Sequence, residues 1–269
     1  MNPNLLLIPL IILGLFTATS FQADTIELAD GTSLSGTLID TQAGYIRLQL
    51  PETEGEALRR ISPDKIAALS FSDPTAPLEQ RALHRSRFIP LLSPADAQLL
   101  PELLEHYLSN DQSLTALSYA KLWHPKNEYA DLDPLYRSLL IRSAQAANLP
   151  NEAVIHAKNW LAQTPSPFAT PLPWQTLAQH HLDSGQPEAA LWTALRPLAH
   201  ATADQQDTLH PLHQIAAQAY QVLGYPDHAT YHLSQNSPLT THYSPLNPPP
   251  SLLAESLTYS QLLKTNSPQ

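Results

Sequence analysis

The chain contains no cysteine, which excludes a disulfide framework, thiolate metal ligation, thiol nucleophiles and a lipid-modified cysteine. Glycine is scarce, 7 in 269 residues, and the seven never gather into a loop that could cradle phosphate. Charge is thin as well: 14% of residues, with a net charge of −10. A nucleic-acid footprint needs a concentrated basic stripe. The nearest approach is Arg81, Arg85 and Arg87, which reads as the solvated side of a short helix. Nucleic acid is therefore not an expected partner. Nor is there an apolar run of the roughly 20 residues that a spanning helix needs. Proline, by contrast, is abundant at 26 residues. Many prolines with few glycines suit helices closed by proline-containing loops.

The longest apolar run, Leu5 to Phe16, covers 12 residues and is followed by the small residues Thr17, Ala18, Thr19 and Ser20. This is the pattern of a signal-peptide core, and 1–20 is expected to be a signal peptide, with Ala23 as the alternative cleavage site. The n-region lacks lysine and arginine, so positive charge there comes from the α-amino group. The expected location is exported, periplasmic or extracellular. Contact with a membrane is expected only if the signal segment stays uncleaved.

Residues 24–73 alternate with a period of two. Thr25 to Leu28 leads into Asp30-Gly31, where Gly31 can take the positive φ of a hairpin turn. Leu34, Gly36, Leu38 and Asp40 alternate along a second strand, Gln42-Ala43-Gly44 turns the chain into Tyr45 to Leu50, and Ala57 to Ile61 and Ile66 to Phe71 follow. Glu52 and Glu54 fall in a polar loop and read as a solvated turn. Five short strands with close turns predict a small closed barrel, because closure removes exposed edges. The pattern Asp24-x-Ile26-x-Leu28-x-Asp30-Gly31-x-x-Leu34-x-Gly36, with Ile61 and Ile66 later, resembles the SH3-like or Sm-like barrels that follow signal peptides in exported bacterial proteins. What the resemblance implies is a structural or docking module. Tyr45 and Phe71 are candidates for stacking on a cell-wall polysaccharide, although burial suits both.

After a short linker helix at 77–93 the period changes to 3.6. Ala116, Ala153, Ala190 and Ala229 are 37, 37 and 39 residues apart in similar surroundings, the mark of a stacked helical repeat over 94–236. Alanine there allows the second helix of a hairpin to approach the first closely. Before the alanines stand Asp111, Asn148, Gly185 and Gly224, and aspartate and asparagine tolerate turn geometry in place of glycine. Trp174-x2-Leu177-Ala178-x6-Gly185-x4-Ala190 and Ala216-Ala217-x2-Tyr220-x3-Gly224-x4-Ala229 resemble tetratricopeptide (TPR) units, although the period exceeds the usual 34. The expected fold is thus α+β in two modules, a five-stranded barrel followed by about four TPR-like helical hairpins. Residues 237–250 read as a proline-rich linker and 251–264 as a helix capping the open end.

The TPR resemblance implies a concave groove lined by first-helix residues: Gln98 and Glu105, then Ser138, Arg142 and Gln145, then Gln175, Gln179, Gln214, Gln218 and Gln221. Amide side chains both donate and accept, which suits the backbone of an extended peptide. Chemistry is harder to find. All twelve histidines lie at or after His84. His228 with His232 and His210 with His213 form helical pairs, and neither has a third ligand at fixed spacing. Gly31 to Gly36 only superficially resembles a nucleophile elbow, since it falls in a hairpin. No catalytic residue, cofactor or metal is assigned. The expected function is a non-catalytic exported scaffold or adaptor that binds a protein or extended peptide in the groove. The alternative is an envelope accessory protein that binds metal or cell-wall polysaccharide.

Overall fold

A computed structural model describes residues 23–50, 57–164, 168, 170–200 and 208–235. The signal segment, the loop with Glu52 and Glu54, the proline-rich linker and the capping helix lie outside the described residues. The chain divides into two units at His180/His181, and each is treated by itself.

The first unit opens with β1 (Asp24–Leu28), β2 (Ser33–Gln42), β3 (Tyr45–Gln49), β4 (Leu58–Ile61) and β5 (Ile66–Ser70). All pairings are antiparallel, in the order β4-β3-β2-β1-β5. Alternation puts Ile26, Leu38, Ile46, Leu48 and Ile61 into the core and leaves Tyr45 and Gln49 exposed. In the β1–β2 turn Gly31 has φ +84°, its N–H donates to the Leu28 carbonyl at 2.9 Å, and the Asp30 carboxylate accepts from the Thr32 N–H at 2.9 Å. Gly36 serves differently: a Cβ there would run into the Gln49 carbonyl of β3, so close backbone approach demands glycine. The register shifts between Leu38 and Asp40, a bulge that bends β2.

The sheet is open, not the closed barrel that the spacing predicts: among the described residues β4 pairs only with β3 and β5 only with β1. β4 is four residues long, and its exposed Arg59 and Arg60 make it a poor template for further pairing.

The segment expected as a linker forms α1 (Leu78–Arg85) and a 3-10 stretch at Ser86–Leu91, and its Ala82, Phe88 and Ile89 belong to one buried core with the sheet and the following helices. Three contacts tie it to β2. The His84 ring stands 3.1 Å from the Leu38 carbonyl, Arg87 donates to the Ile39 carbonyl at 2.9 Å, and Thr41 Oγ1 donates to the Arg87 carbonyl at 2.9 Å. The arginine run is consequently not a uniformly solvated face: Arg87 is exposed, but Arg85 is not. Arg85 is buried, paired with Asp73 at 2.7 Å and Asp96 at 2.6 Å, and lies 4.4 Å over the Phe71 ring. Nearby, buried Asp24 accepts from the Leu38 N–H at 3.0 Å and from the Ser72 N–H at 2.9 Å.

The helices follow as α2 (Pro94–Ser109), α3 (Ser113–Trp123), α4 (Asp133–Ala146), α5 (Pro150–Gln163) and α6 (Pro171–Asp183), the unit division falling within α6. Ser93 caps α2 by accepting from the Asp96 N–H, with Pro94 at the first helical position. In sequence order α1 packs on α2, α2 on α3, α3 on α4 and α4 on α5, with α2 also meeting α4. The second unit holds α7 (Pro187–Ala199), α8 (His210–Val222) and α9 (Pro226–Ser234), with α8 packed on both others.

Candidate functional site

One turn, built four times, sets the register of everything on the helices. Asp111, Asn148, Gly185 and Gly224 have φ of 59°, 58°, 70° and 84°. The next residues, Gln112, Leu149, Gln186 and Tyr225, donate to the carbonyls of Tyr107, Ala144, His181 and Tyr220, each at 2.9 Å. This is the left-handed helix end in which a six-to-one bond satisfies an orphan carbonyl. The second helix starts one residue on, with proline first in α5, α7 and α9. Ala116, Ala153, Ala190 and Ala229 are then the fourth residues of α3, α5, α7 and α9, and none is more than 1% exposed.

With the register fixed, the groove residues fall as follows. Glu105 of α2 and Arg142 of α4 are separated by one repeat and face each other in a bidentate ion pair, one arm of which is 2.8 Å long. Gln145 of α4 donates to Thr176 Oγ1 of α6 at 3.2 Å. The structure therefore brings the first helices of successive hairpins in the first unit together along these side chains. Arg142 and Gln145 are occupied in that ladder. Gln98, Ser138, Gln175 and Gln179 are half-buried. In the second unit Gln214, Gln218 and Gln221 stand exposed on one side of α8, opposite the buried Leu212, Ile215, Ala216 and Ala219.

Two further sequence readings change. The histidine pairs read along single helices give way to one across the α8–α9 hairpin: the Nδ1 atoms of His213 and His232 are 2.8 Å apart, both residues buried. One ring donates and the other accepts, so at most one carries a proton on both nitrogens without breaking the bond. Burial pushes each pKa down to about 4, reinforced at His213 by His210 and at His232 by His213 and His228. The Tyr220 ring stacks on His232 at 5.6 Å. Among the described residues no group of three or more His, Asp or Glu is placed to hold a metal ion. Of the two aromatic candidates on the sheet, Phe71 packs on Phe88 at 6.0 Å beneath Arg85, whereas Tyr45 stays 46% exposed. No helix of the described residues is long and apolar enough to cross a membrane. Compared with family models, curated proteins and solved structures, the sequence finds no match in any of the three.

Proposed function

We propose that this chain is a non-catalytic, exported scaffold or adaptor that takes a protein or extended peptide on the outward faces of its first helices. In this reading the helical hairpins are TPR-like units, and the sheet is an SH3-like or Sm-like module that anchors them. One observation carries it. The intervals between Glu105, Arg142, Gln179 and Gln218 reproduce the 37, 37 and 39 of the buried alanines. A repeat that keeps its core register also repeats the polar positions of its first helices in each unit, and repeated positions of this kind serve in recognition. The amides of Gln214, Gln218 and Gln221 suit a peptide backbone, since each both donates and accepts. Export rests on the apolar run Leu5 to Phe16.

The test is capture of partners from an envelope fraction by the full chain and by a Gln214→Ala, Gln218→Ala, Gln221→Ala triple variant. All three positions are exposed, so the melting temperature stays at the wild-type value. Loss of three amide contacts weakens capture at least about tenfold, at roughly 0.5–1.5 kcal/mol each. Equal capture by both proteins overturns this reading.

A further inference from the structure

A cavity of about 200 Å³ lies in the first unit where α3, the 3-10 turn His124–Lys126, α4 and α5 meet, away from the Glu105–Arg142 ladder. The side chains of Lys121, His124, Arg137, His156, Asn159 and Gln163 line it. No carboxylate is among the described residues that line it, and the two nearby are already paired. Asp133 accepts from Arg137 Nε at 2.6 Å and lies 2.8 Å from His124 Nε2, and Glu152 is paired with Lys121. Both carboxylates are thereby matched. Burial raises the Asp133 pKa, but the Arg137 and His124 bonds outweigh it and hold the group below its ordinary value. The Lys121 bond holds Glu152 low.

Among the described residues, the donors that remain have no protein acceptor. Arg137 is only 15% exposed and, among the described residues, bonds through Nε alone, so the Nη1/Nη2 edge of its fork is unused there. Nε2 of His156 is fully buried without a hydrogen bond, 3.6 Å from the Glu152 carboxylate. Lys121 keeps N–H donors beyond the one given to Glu152, and neither side-chain amide, of Asn159 or of Gln163, bonds to the described protein. Leaving the half-buried Arg137 and His156 donors unmatched is unfavourable, and an incoming acceptor relieves it.

We propose that this cavity binds a carboxylate, on a small acid or at the end of a peptide. The Nη edge of Arg137 presents two parallel N–H groups, the geometry that accepts a planar carboxylate in bidentate fashion. Asn159 and Gln163 supply amide donors on α5, and Lys121 supplies a cation at the rim. A single negative charge is favoured over phosphate because Asp133, Glu152 and a chain charge of −10 repel a second one. This inference is independent of peptide capture on the first-helix faces, since it uses α3, α4 and α5 side chains that do not belong to that row.

The probe is N-acetylglycine, titrated into the full chain while the backbone amide resonances of α5 are followed by NMR, a readout that every variant below retains. A saturable shift with a dissociation constant below about 5 mM is expected, and none with the neutral N-acetylglycine amide. Arg137→Lys keeps the charge but loses the fork, and weakens binding at least about tenfold. If that variant also melts early, the Asn159→Ala, Gln163→Ala double variant, at two exposed positions, carries the comparison with an expected loss of about threefold or more. Any of four outcomes overturns the assignment: no saturable shift, equal binding of the neutral amide, unchanged affinity in the well-folded variants, or inorganic phosphate binding where N-acetylglycine does not.

Discussion

At φ +58°, Asn148 occupies a backbone region that side chains with a Cβ avoid, and its neighbours in the repeat solve the same problem with Asp111, Gly185 and Gly224. The left-handed region costs an ordinary L-residue about 1 kcal/mol, and asparagine less. Asn148→Ala should therefore lower the unfolding free energy by about 1 kcal/mol, while Asn148→Gly stays within about 0.5 kcal/mol of wild type. Urea melts of both variants check this, and equal stability of the two would show that the turn carries no such strain. This requirement was legible in the sequence, because glycine in two repeats exposed what asparagine and aspartate were doing in the others. Arg85 was not legible. A run of three arginines looks solvated, and its partners Asp73 and Asp96 lie 12 residues before it and 11 after, on different elements. Only the packing of α1 between sheet and α2 joins them. The same holds for Gly36, whose need for glycine comes from the Gln49 carbonyl of the adjacent strand.

The α8–α9 hairpin holds the clearest pH sensitivity of any element. His213 and His232 share an Nδ1–H···Nδ1 bond in the core, and both pKa values are pushed down to about 4. In the unfolded chain each titrates near 6.5, so between about pH 6.5 and 4 the unfolded state binds more protons than the folded one. Stability from this pair is complete above about pH 6.5 and falls as the pH drops towards 4. The first proton leaves the ring–ring bond intact, whereas the second sets two N–H donors face to face. The loss amounts to about 3 kcal/mol for the pair, allowing for partial solvent screening. His232→Phe fills the site without a titrating group. Its melting temperature should change less between pH 7 and 4.5 than that of the wild type, and an identical pH dependence in the two proteins would sink the idea. Helical spacing suggested His210 with His213 and His228 with His232, since i, i+3 and i, i+4 neighbours are all that a single helix reveals. The pair that forms depends on how α9 lies against α8.

Across the first unit, the sheet and helices do not behave as beads on a string. Ile26, Leu38 and Leu48 of the sheet belong to the same core as Phe88, Leu103 and Trp123. A fragment of residues 23–75 therefore leaves one side of its sheet uncovered and should show no cooperative thermal transition by circular dichroism, whereas 23–164 melts cooperatively. Cooperative melting of the short fragment would make the sheet a self-sufficient domain. The sequence by itself determined the class and the rhythm of this protein. Alternation of period two placed five strands, the alanine intervals placed the second helices, and the residues ahead of the alanines placed the turns. Those features are local, governed by backbone sterics and by which side of one element is apolar. The tertiary structure alone decided that the sheet stays open, that Arg85 is buried, and that His213 meets His232. It also decided that Glu105 and Arg142 close on each other, and that the donors of Arg137, Asn159 and Gln163 surround one cavity. Each of these joins side chains from separate elements, and no spacing within a single element can encode such a meeting.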